Sequence, residues 1–239
     1  METKMTTTTL KPTYCLDEND VYEIGVDEAG RGPMFGRVYT GAVILPKSMA
    51  DFNHALMKDS KKFHSEKKIR EVAAYIKEKA LAWAVGYADE KVIDQINIRR
   101  ATHQAMHQAI QEVFLKLETN KLSKEQAKLE ALLLVDGNDF TPFLLDGEKI
   151  AHVCIEGGDN TYSCIAAASI LAKVARDDYI AELCSAEPTL ITHYDLLKNK
   201  GYGTKKHMDG IKEHGITTYH RKTFGVCKQY LWERYDQTL

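Results

Sequence analysis

The 239-residue sequence lacks the features that mark several large classes of proteins. Its five cysteines are scattered and include no C-x-x-C pair, which argues against a disulfide framework and against a cysteine zinc site. No apolar run approaches the ~18 residues that a membrane-spanning helix needs, and the N-terminal residues lack the apolar core of a signal peptide. We therefore expect a soluble, intracellular protein of the cytoplasm.

Charge is nearly balanced over the whole chain but unevenly distributed along it. The formal net charge is -2, yet the segment from Lys198 to Arg234 carries nine Lys/Arg against three Asp/Glu. A second cluster, from Lys58 to Arg70, carries six Lys/Arg against two acids. Clusters of one sign can steer a polyanion onto one face of a protein. They can equally be solvated helix faces, and the charge pattern alone leaves both interpretations open.

Alternating strand and helix patterns predict an α/β core followed by a helical, basic C-terminal part. The predicted strands span 21–26, 38–45, 80–87 and 131–135, and the predicted helices span 65–76, 97–117, 165–183 and 204–214. Three regions follow: a flexible, Thr-rich tail over 1–20, an α/β core over 21–187 and a helical, basic C-terminal segment over 188–239. The small-residue run Ala166–Ser169 predicts a helix that approaches its neighbour closely.

Acidic residues stand at the ends of two predicted strands. Asp27 and Glu28 precede Gly30-Arg31-Gly32, which places carboxylates beside the exposed N–H groups of a glycine-rich turn. Carboxylates suit a hard cation such as Mg²⁺, and the N–H groups suit an anion. Asp136 ends the apolar run Ala131–Val135, where open α/β sheets place ligands. Each of these acids could instead cap a turn.

A further acid lies within the second long helix. Ser169, Lys173 and Asp177 are spaced by four residues and therefore share one helix face. Because the flanking helix is apolar enough to be largely buried, Asp177 needs a cation or a hydrogen-bonding partner. A simple ion pair with Lys173 is the alternative. The segment Gly157–Asn160 is interpreted only as a turn.

Eight motifs, taken in order, resemble those of type 2 ribonuclease H (ribonuclease HII). They are Asp27–Pro33, Asp59–Lys62, Ile96–Ile98, Val135–Gly137, Ala167–Lys173, Arg176-Asp177, Lys200–Thr204 and His220-Arg221 followed by Phe224. The resemblance implies a ribonuclease H-like fold: a mixed five-stranded sheet with helices on both faces, plus a C-terminal helical extension. It also implies an endonuclease that hydrolyses the RNA strand of RNA–DNA hybrids and nicks on the 5′ side of ribonucleotides embedded in duplex DNA.

The resemblance implies the site residues as well. The metal-binding acids would be Asp27, Glu28, Asp136 and Asp177, holding two Mg²⁺ or Mn²⁺ ions. The turn Gly30-Arg31-Gly32 and Tyr202 match the elements that recognise the ribonucleotide and the following deoxyribonucleotide. The positions that match phosphate-holding residues are Lys61, Lys62, Asn97, Lys173, Arg176 and Arg221. The segment Gln229–Tyr235 lacks the spacing of a sliding-clamp motif, so we expect a monomer without a clamp partner.

Two other functions fit parts of the sequence. Ribonuclease HIII is a related enzyme, but that family usually carries Ser and Lys in place of Ala29 and Arg31. A non-catalytic module that binds hybrids would require at least one broken carboxylate, and none of the four acids is broken. The loop Phe35-Gly36-Arg37 departs from the ribonuclease HII pattern, so the chain following the recognition turn is expected to differ.

Overall fold

The structure is a computed structural model that describes residues 9–15, 21–120 and 130–231. Its strands are β1 (Tyr22–Ala29), β2 (Val38–Ile44), β3 (Ala82–Ala88), β4 (Ala131–Asp136), β5 (Leu144–Leu145), β6 (Glu148–Lys149) and β7 (Ala151–Ile155). Five of them form one sheet in the order β3-β2-β1-β4-β7, and β5 pairs with β6 in a short hairpin. The three strands β3, β2 and β1 are antiparallel, whereas β4 and β7 run parallel to β1. This is the mixed five-stranded sheet that the resemblance to ribonuclease HII implies.

Helices cover both faces of the sheet. They are α1 (Glu66–Lys79), α2 (Glu90–Ile96), α3 (Ile98–Asn120), α4 (Ser163–Ala186), α5 (Thr189–Tyr194), α6 (Leu196–Asn199) and α7 (Lys205–His214). Side chains alternate between the faces of β2 and β4: Val43 and Leu134 pack with α1 and α4, whereas Ile44 and Leu133 pack with α3. None of the helices in the described ranges is long and apolar enough to cross a membrane.

Helix α4 lies unusually close to the sheet. A Cβ atom on Gly25 in β1 would overlap the backbone of Cys164, and one on Gly41 in β2 would overlap the backbone of Ala168. The close approach predicted from the run Ala166–Ser169 is therefore confirmed. Because Gly41 pairs with Asp27 across the two strands, the next residue of α4, Ser169, lies close enough to Asp27 to lower the pKa of its carboxyl.

The C-terminal helices pack against the end of α4 and the loop after β1. Helices α5 to α7 share a buried cluster with Phe35 and Ile180, to which they contribute Leu196 and Ile211. The predicted helical extension is thus confirmed, and the predicted boundary after residue 187 falls between α4 and α5.

The described part of the N-terminal tail is bound to the core rather than loose. The buried Glu23 carboxylate accepts the backbone N–H groups of Tyr14 and Cys15, both at 2.8 Å. Lys11 donates its N–H to the Thr161 carbonyl at 2.8 Å, and its own carbonyl accepts the Ser163 N–H at 2.9 Å. The expected flexible tail is therefore wrong for residues 9–15, and its other residues, 1–8 and 16–20, lie outside the described part.

Candidate active site

Two parallel strands bring acidic residues to one edge of the sheet. Strands β1 and β4 are paired in register as far as Val26 and Val135, so the residues that follow, Asp27 and Asp136, lie side by side. Glu28 is the next residue of β1. The ends of two buried strands thus place three carboxylates together, as the resemblance implies.

These carboxylates are confined and repel one another. Asp27 is only 4% exposed, and burial raises its pKa well above the ordinary value; the charges of Glu28 and Asp136 raise it further, and a hydrogen bond from Ser169 opposes them. Burial also raises the pKa of Glu28, although Arg31, 3.4 Å away, opposes the effect. Concentrated negative charge of this kind is stabilised by a bound cation.

A fourth acid joins the group from a segment interpreted only as a turn. Asp159 lies in the 3₁₀ turn Gly158–Asn160 between β7 and α4 and is 6% exposed. The turn is tied to the strand end because Gly158 donates its N–H to Asp136 Oδ1 at 2.7 Å. Burial raises the pKa of Asp159, as do the charges of Asp59 and Asp136. Asp159 is therefore a member of the acidic group.

The structure gives Asp177 a different place from the predicted one. It lies on α4 eight residues beyond Ser169, about 12 Å along the helix axis. Its carboxylate pairs with Lys173, the alternative that the sequence left open. Asp177 is not among the main charges that shift the pKa of Asp27 or Glu28. Those charges are Glu28, Asp136, Arg31 and Lys61. The structure thus pairs Asp177 with Lys173 and groups Asp159 with Asp136, and which of the two acids binds a metal ion stays a prediction.

Lys61 faces the acidic group. Partial burial lowers its pKa, but four carboxylates outweigh that effect and raise it: Asp59, Asp159, Asp27 and Asp136. The 3₁₀ helix Ser60–Lys62 that carries it begins at Asp59, whose carboxylate accepts the Lys61 N–H at 2.9 Å.

Lys62, the next residue, contacts the side chain of Asn160 in the Asp159 turn. Both lysines therefore stand at the rim of the acidic group.

Arg221 is not placed to hold a phosphate, which corrects the sequence-based expectation. Its side chain is fully buried, and its guanidinium donates four hydrogen bonds to backbone carbonyls of the loop after β1. The acceptors are Gly30 at 2.6 Å, Arg31 at 2.9 Å, Pro33 at 2.7 Å and Gly36 at 2.8 Å. Arg221 therefore fixes the shape of the predicted recognition turn.

Arg176 supports the same turn from below. It is buried, and Nη2 donates to the Phe35 carbonyl at 3.1 Å. A Cβ atom on Gly30 would overlap the Arg176 side chain, and Gly30 also has φ +92°, a conformation that favours glycine. Only glycine fits this position. A phosphate contact by Arg176 stays a prediction.

Tyr202 lies beside the turn and faces solvent. Its side chain is 53% exposed, and its ring Cε1 lies 3.6 Å from the place that a Cβ on Gly32 would take. The predicted reader of the deoxyribonucleotide thus stands next to the predicted reader of the ribonucleotide. Asn97 lies at the start of α3, where its side chain accepts the Arg100 N–H at 3.1 Å.

The acidic group fits a hard divalent cation. All of its donors are carboxylate oxygens, the ligands that Mg²⁺ and Mn²⁺ prefer. Within the described residues, no three Asp, Glu, His or Cys side chains are arranged as they stand to hold a metal ion. A Mg²⁺ ion bound by these acids would keep some of its water ligands, because Mg²⁺ is usually held by one or two carboxylates together with substrate phosphates.

Comparison with known proteins identifies the family. A family model described as Ribonuclease HII matches residues 24–234. The chain is 44% identical over 209 residues to ribonuclease HII from Parabacteroides distasonis, covering 87% of this chain and 92% of the relative. It is also 44% identical over 207 residues to the Bacteroides thetaiotaomicron enzyme, covering 87% and 91%.

Solved structures share the fold at low identity. The ribonuclease H2 of Pyrococcus horikoshii superposes with a TM-score of 0.60 at 21% identity, over 91% of this chain and all of that one. The ribonuclease HII in a PCNA complex from Archaeoglobus fulgidus gives 0.62 at 21% identity, over 86% and 96%. Together with the sequence matches, these results show that the chain belongs to the ribonuclease HII family of metal-dependent endoribonucleases, which act on RNA–DNA hybrids.

Proposed function

We propose that Asp27, Glu28, Asp136 and Asp159 together hold two divalent ions, and that the enzyme nicks duplex DNA on the 5′ side of an embedded ribonucleotide. The observation that carries this proposal is the group of four carboxylates at one sheet edge, where burial and neighbouring charge raise the pKa values of Asp27, Glu28 and Asp159. The products would be 3′-hydroxyl and 5′-phosphate ends.

The residues divide the chemistry among themselves. Two bound divalent ions would supply a nucleophilic water and stabilise the charge that develops on the leaving oxygen. Lys61 and Lys62 at the rim would bind phosphate oxygens of the substrate. Lys173 would require release from Asp177 before it could do the same.

Selection of the ribonucleotide belongs to the turn and to Tyr202. A ribonucleotide in DNA differs from its neighbours by one 2′-hydroxyl, which both donates and accepts a hydrogen bond. Gly30 and Gly32 have no side chains, so their backbone groups can approach that hydroxyl closely. The Tyr202 ring, next to Gly32, can pack on the following sugar, where the missing hydroxyl leaves room.

We also propose that the enzyme works as a monomer in the cytoplasm and accepts Mg²⁺ or Mn²⁺. Both ions accept oxygen ligands. Of the segment Gln229–Tyr235, whose spacing does not match a clamp motif, the last four residues lie outside the described part of the chain.

The test is a duplex with one ribonucleotide, labelled at the 5′ end of the strand that contains it and incubated with each metal in turn. We expect a single cut on the 5′ side of the ribonucleotide, giving a product that a polymerase can extend. An all-DNA duplex of the same sequence is the control. Binding without cleavage, or a cut on the 3′ side, would contradict the proposal.

A further inference from the structure

Two buried histidines connect the C-terminal helices to the recognition turn, and the proposed chemistry uses neither. His207 in α7 is fully buried and His220 is 1% exposed. Their Nε2 atoms are 3.1 Å apart. On the outer sides of the pair, His207 Nδ1 lies 2.9 Å from the Tyr202 carbonyl oxygen, and His220 Nδ1 lies 2.9 Å from the Thr217 amide nitrogen.

These contacts determine where each proton lies. A backbone N–H can only donate, so His220 Nδ1 accepts from the Thr217 N–H, and the proton of the neutral ring is on Nε2. That Nε2–H then donates to His207 Nε2, which leaves the proton of His207 on Nδ1. The Nδ1–H of His207 in turn donates to the Tyr202 carbonyl. The chain of hydrogen bonds runs one way, from Thr217 to Tyr202, and both rings are neutral.

Surroundings of the pair reinforce this assignment. Burial lowers the pKa of both rings, and for His220 the neighbouring His207 lowers it further, to about 3. An extra proton on His220 Nδ1 would point at the Thr217 N–H, and one on His207 Nε2 would point at the His220 N–H. A satisfied buried polar network specifies one arrangement of the groups that it joins.

The pair is also attached to the other half of the recognition site. The Phe35 ring packs edge-on against His220 at 5.0 Å between ring centroids, and the residue after His220 is Arg221, which holds the turn. His220 therefore contacts the loop that contains the Gly30–Gly32 turn, and His207 at the other end of the pair contacts Tyr202.

We propose that His207 and His220 are positioning residues that set the Tyr202 ring against the Gly30–Gly32 turn, and thereby set the preference for a single embedded ribonucleotide over a uniform RNA–DNA hybrid. This inference rests on the proposed role of Tyr202 in substrate recognition. A uniform hybrid depends less on the pair because every position of its RNA strand offers a cleavable site.

Two variants of the same residue separate positioning from packing. Asn in His207→Asn places an amide N–H near the position of Nδ1 and can keep the bond to Tyr202. Gln in His207→Gln extends toward Nε2 and loses that bond. Each variant loses one of the two bonds of the His207 ring, since Gln can still accept from His220 and Asn cannot reach it, so we expect their melting temperatures to fall together.

The readout is kcat/KM on a duplex with one ribonucleotide, divided by kcat/KM on a uniform hybrid. A hydrogen bond contributes roughly 0.5–1.5 kcal/mol, or about 2- to 13-fold, so we expect His207→Gln to lower this ratio by about that factor. His207→Asn is expected to stay within about 2-fold of the wild-type ratio. Equal losses on both substrates, or an Asn variant that behaves like the Gln variant, would overturn the proposal.

A second measurement does not depend on activity. Nitrogen-15 NMR of labelled histidines in the unaltered protein should show His207 as the Nδ1–H tautomer and His220 as the Nε2–H tautomer. The opposite tautomer at either ring, or a protonated ring at neutral pH, would overturn the inference. If the wild-type enzyme cleaves neither substrate but the tautomers are as stated, the proposed function is wrong, whereas the hydrogen bonding of the pair is confirmed.

Discussion

Replacing Arg221 by methionine tests whether this side chain holds the recognition loop or a substrate phosphate. Methionine keeps much of the apolar stem and removes every donor. The four carbonyls that Arg221 now satisfies, those of Gly30, Arg31, Pro33 and Gly36, would lose their partner.

The size of the effect follows from the burial of these carbonyls. The bonds to Pro33 and Gly36 are buried, whereas those to Gly30 and Arg31 are partly exposed and water can replace them in part. An unpaired buried acceptor costs roughly 1–3 kcal/mol, so we expect Arg221→Met to lower the free energy of unfolding by about 3–5 kcal/mol. This is a large fraction of the roughly 5–15 kcal/mol that stabilises a typical domain.

Two assays separate the two roles. Urea denaturation measures the free energy of unfolding, and duplex binding at several salt concentrations measures the number of phosphate contacts, since each lost contact reduces the slope of log K against log salt by about 0.9. We expect Arg221→Met to lose stability with an unchanged slope. The matched control is Lys205→Met, in the basic segment from Lys198 to Arg234 that we expect to attract the duplex. The Lys205 side chain is 92% exposed, so we expect little change in stability and a reduced slope. An Arg221→Met protein of normal stability with a reduced slope would refute the reasoning.

Three further predictions concern the acids, the turn and pH. In steady-state cleavage assays, Asp159→Asn should lower kcat by about 100-fold or more, because losing a group that only supports a metal ligand already costs about 10- to 100-fold. Asp177→Asn should retain most activity; the reverse order would favour Asp177 as the metal ligand. In urea denaturation, Gly30→Ala should cost more stability than Gly137→Ala, because both have φ above +90° but only Gly30 faces a buried side chain; equal costs would contradict this. Burial and His207 lower the pKa of His220 from 6.5 to about 3. As the pH falls, His220 therefore takes up its proton at a higher pH in the unfolded chain than in the folded protein. Stability should therefore be full above pH 6.5 and fall as the pH drops toward 3, by up to about 1.4 kcal/mol per pH unit, and His220→Phe should flatten that part of the curve.

The strand ends at the site could be predicted from the sequence because they depend on local pattern. Apolar runs that end in Asp27 and Asp136 mark buried strands, and parallel buried strands bring their carboxyl ends to one sheet edge. The small-residue run at the start of α4 similarly predicts close packing, which Gly25 and Gly41 complete from the sheet side.

Asp159 could not be predicted in this way because its strand carries a weak signal. Strand β7 (Ala151–Ile155) is at the edge of the sheet and none of its residues is fully buried, so it lacks clear alternation of apolar and polar positions. Without that strand, Gly157–Asn160 looks like an isolated turn. The pairing of Ile155 with Asp136 is what carries Asp159 to the acidic group. An acid four residues after a recognised edge strand, just before a buried helix, would have been the signal.

The role of Arg221 depends on contacts across most of the chain. Positive φ values of +92° at Gly30 and +76° at Gly36 turn the loop so that its carbonyls converge on one point. Such a set of acceptors requires a donor with several N–H groups in a fixed plane, which only the guanidinium group provides. In the sequence, this arginine stands in a basic segment and resembles a phosphate ligand. Its acceptors lie between 185 and 191 residues earlier, so the sequence around Arg221 does not reveal them. The arginine is needed at this position to bind the carbonyls of the recognition loop rather than the substrate.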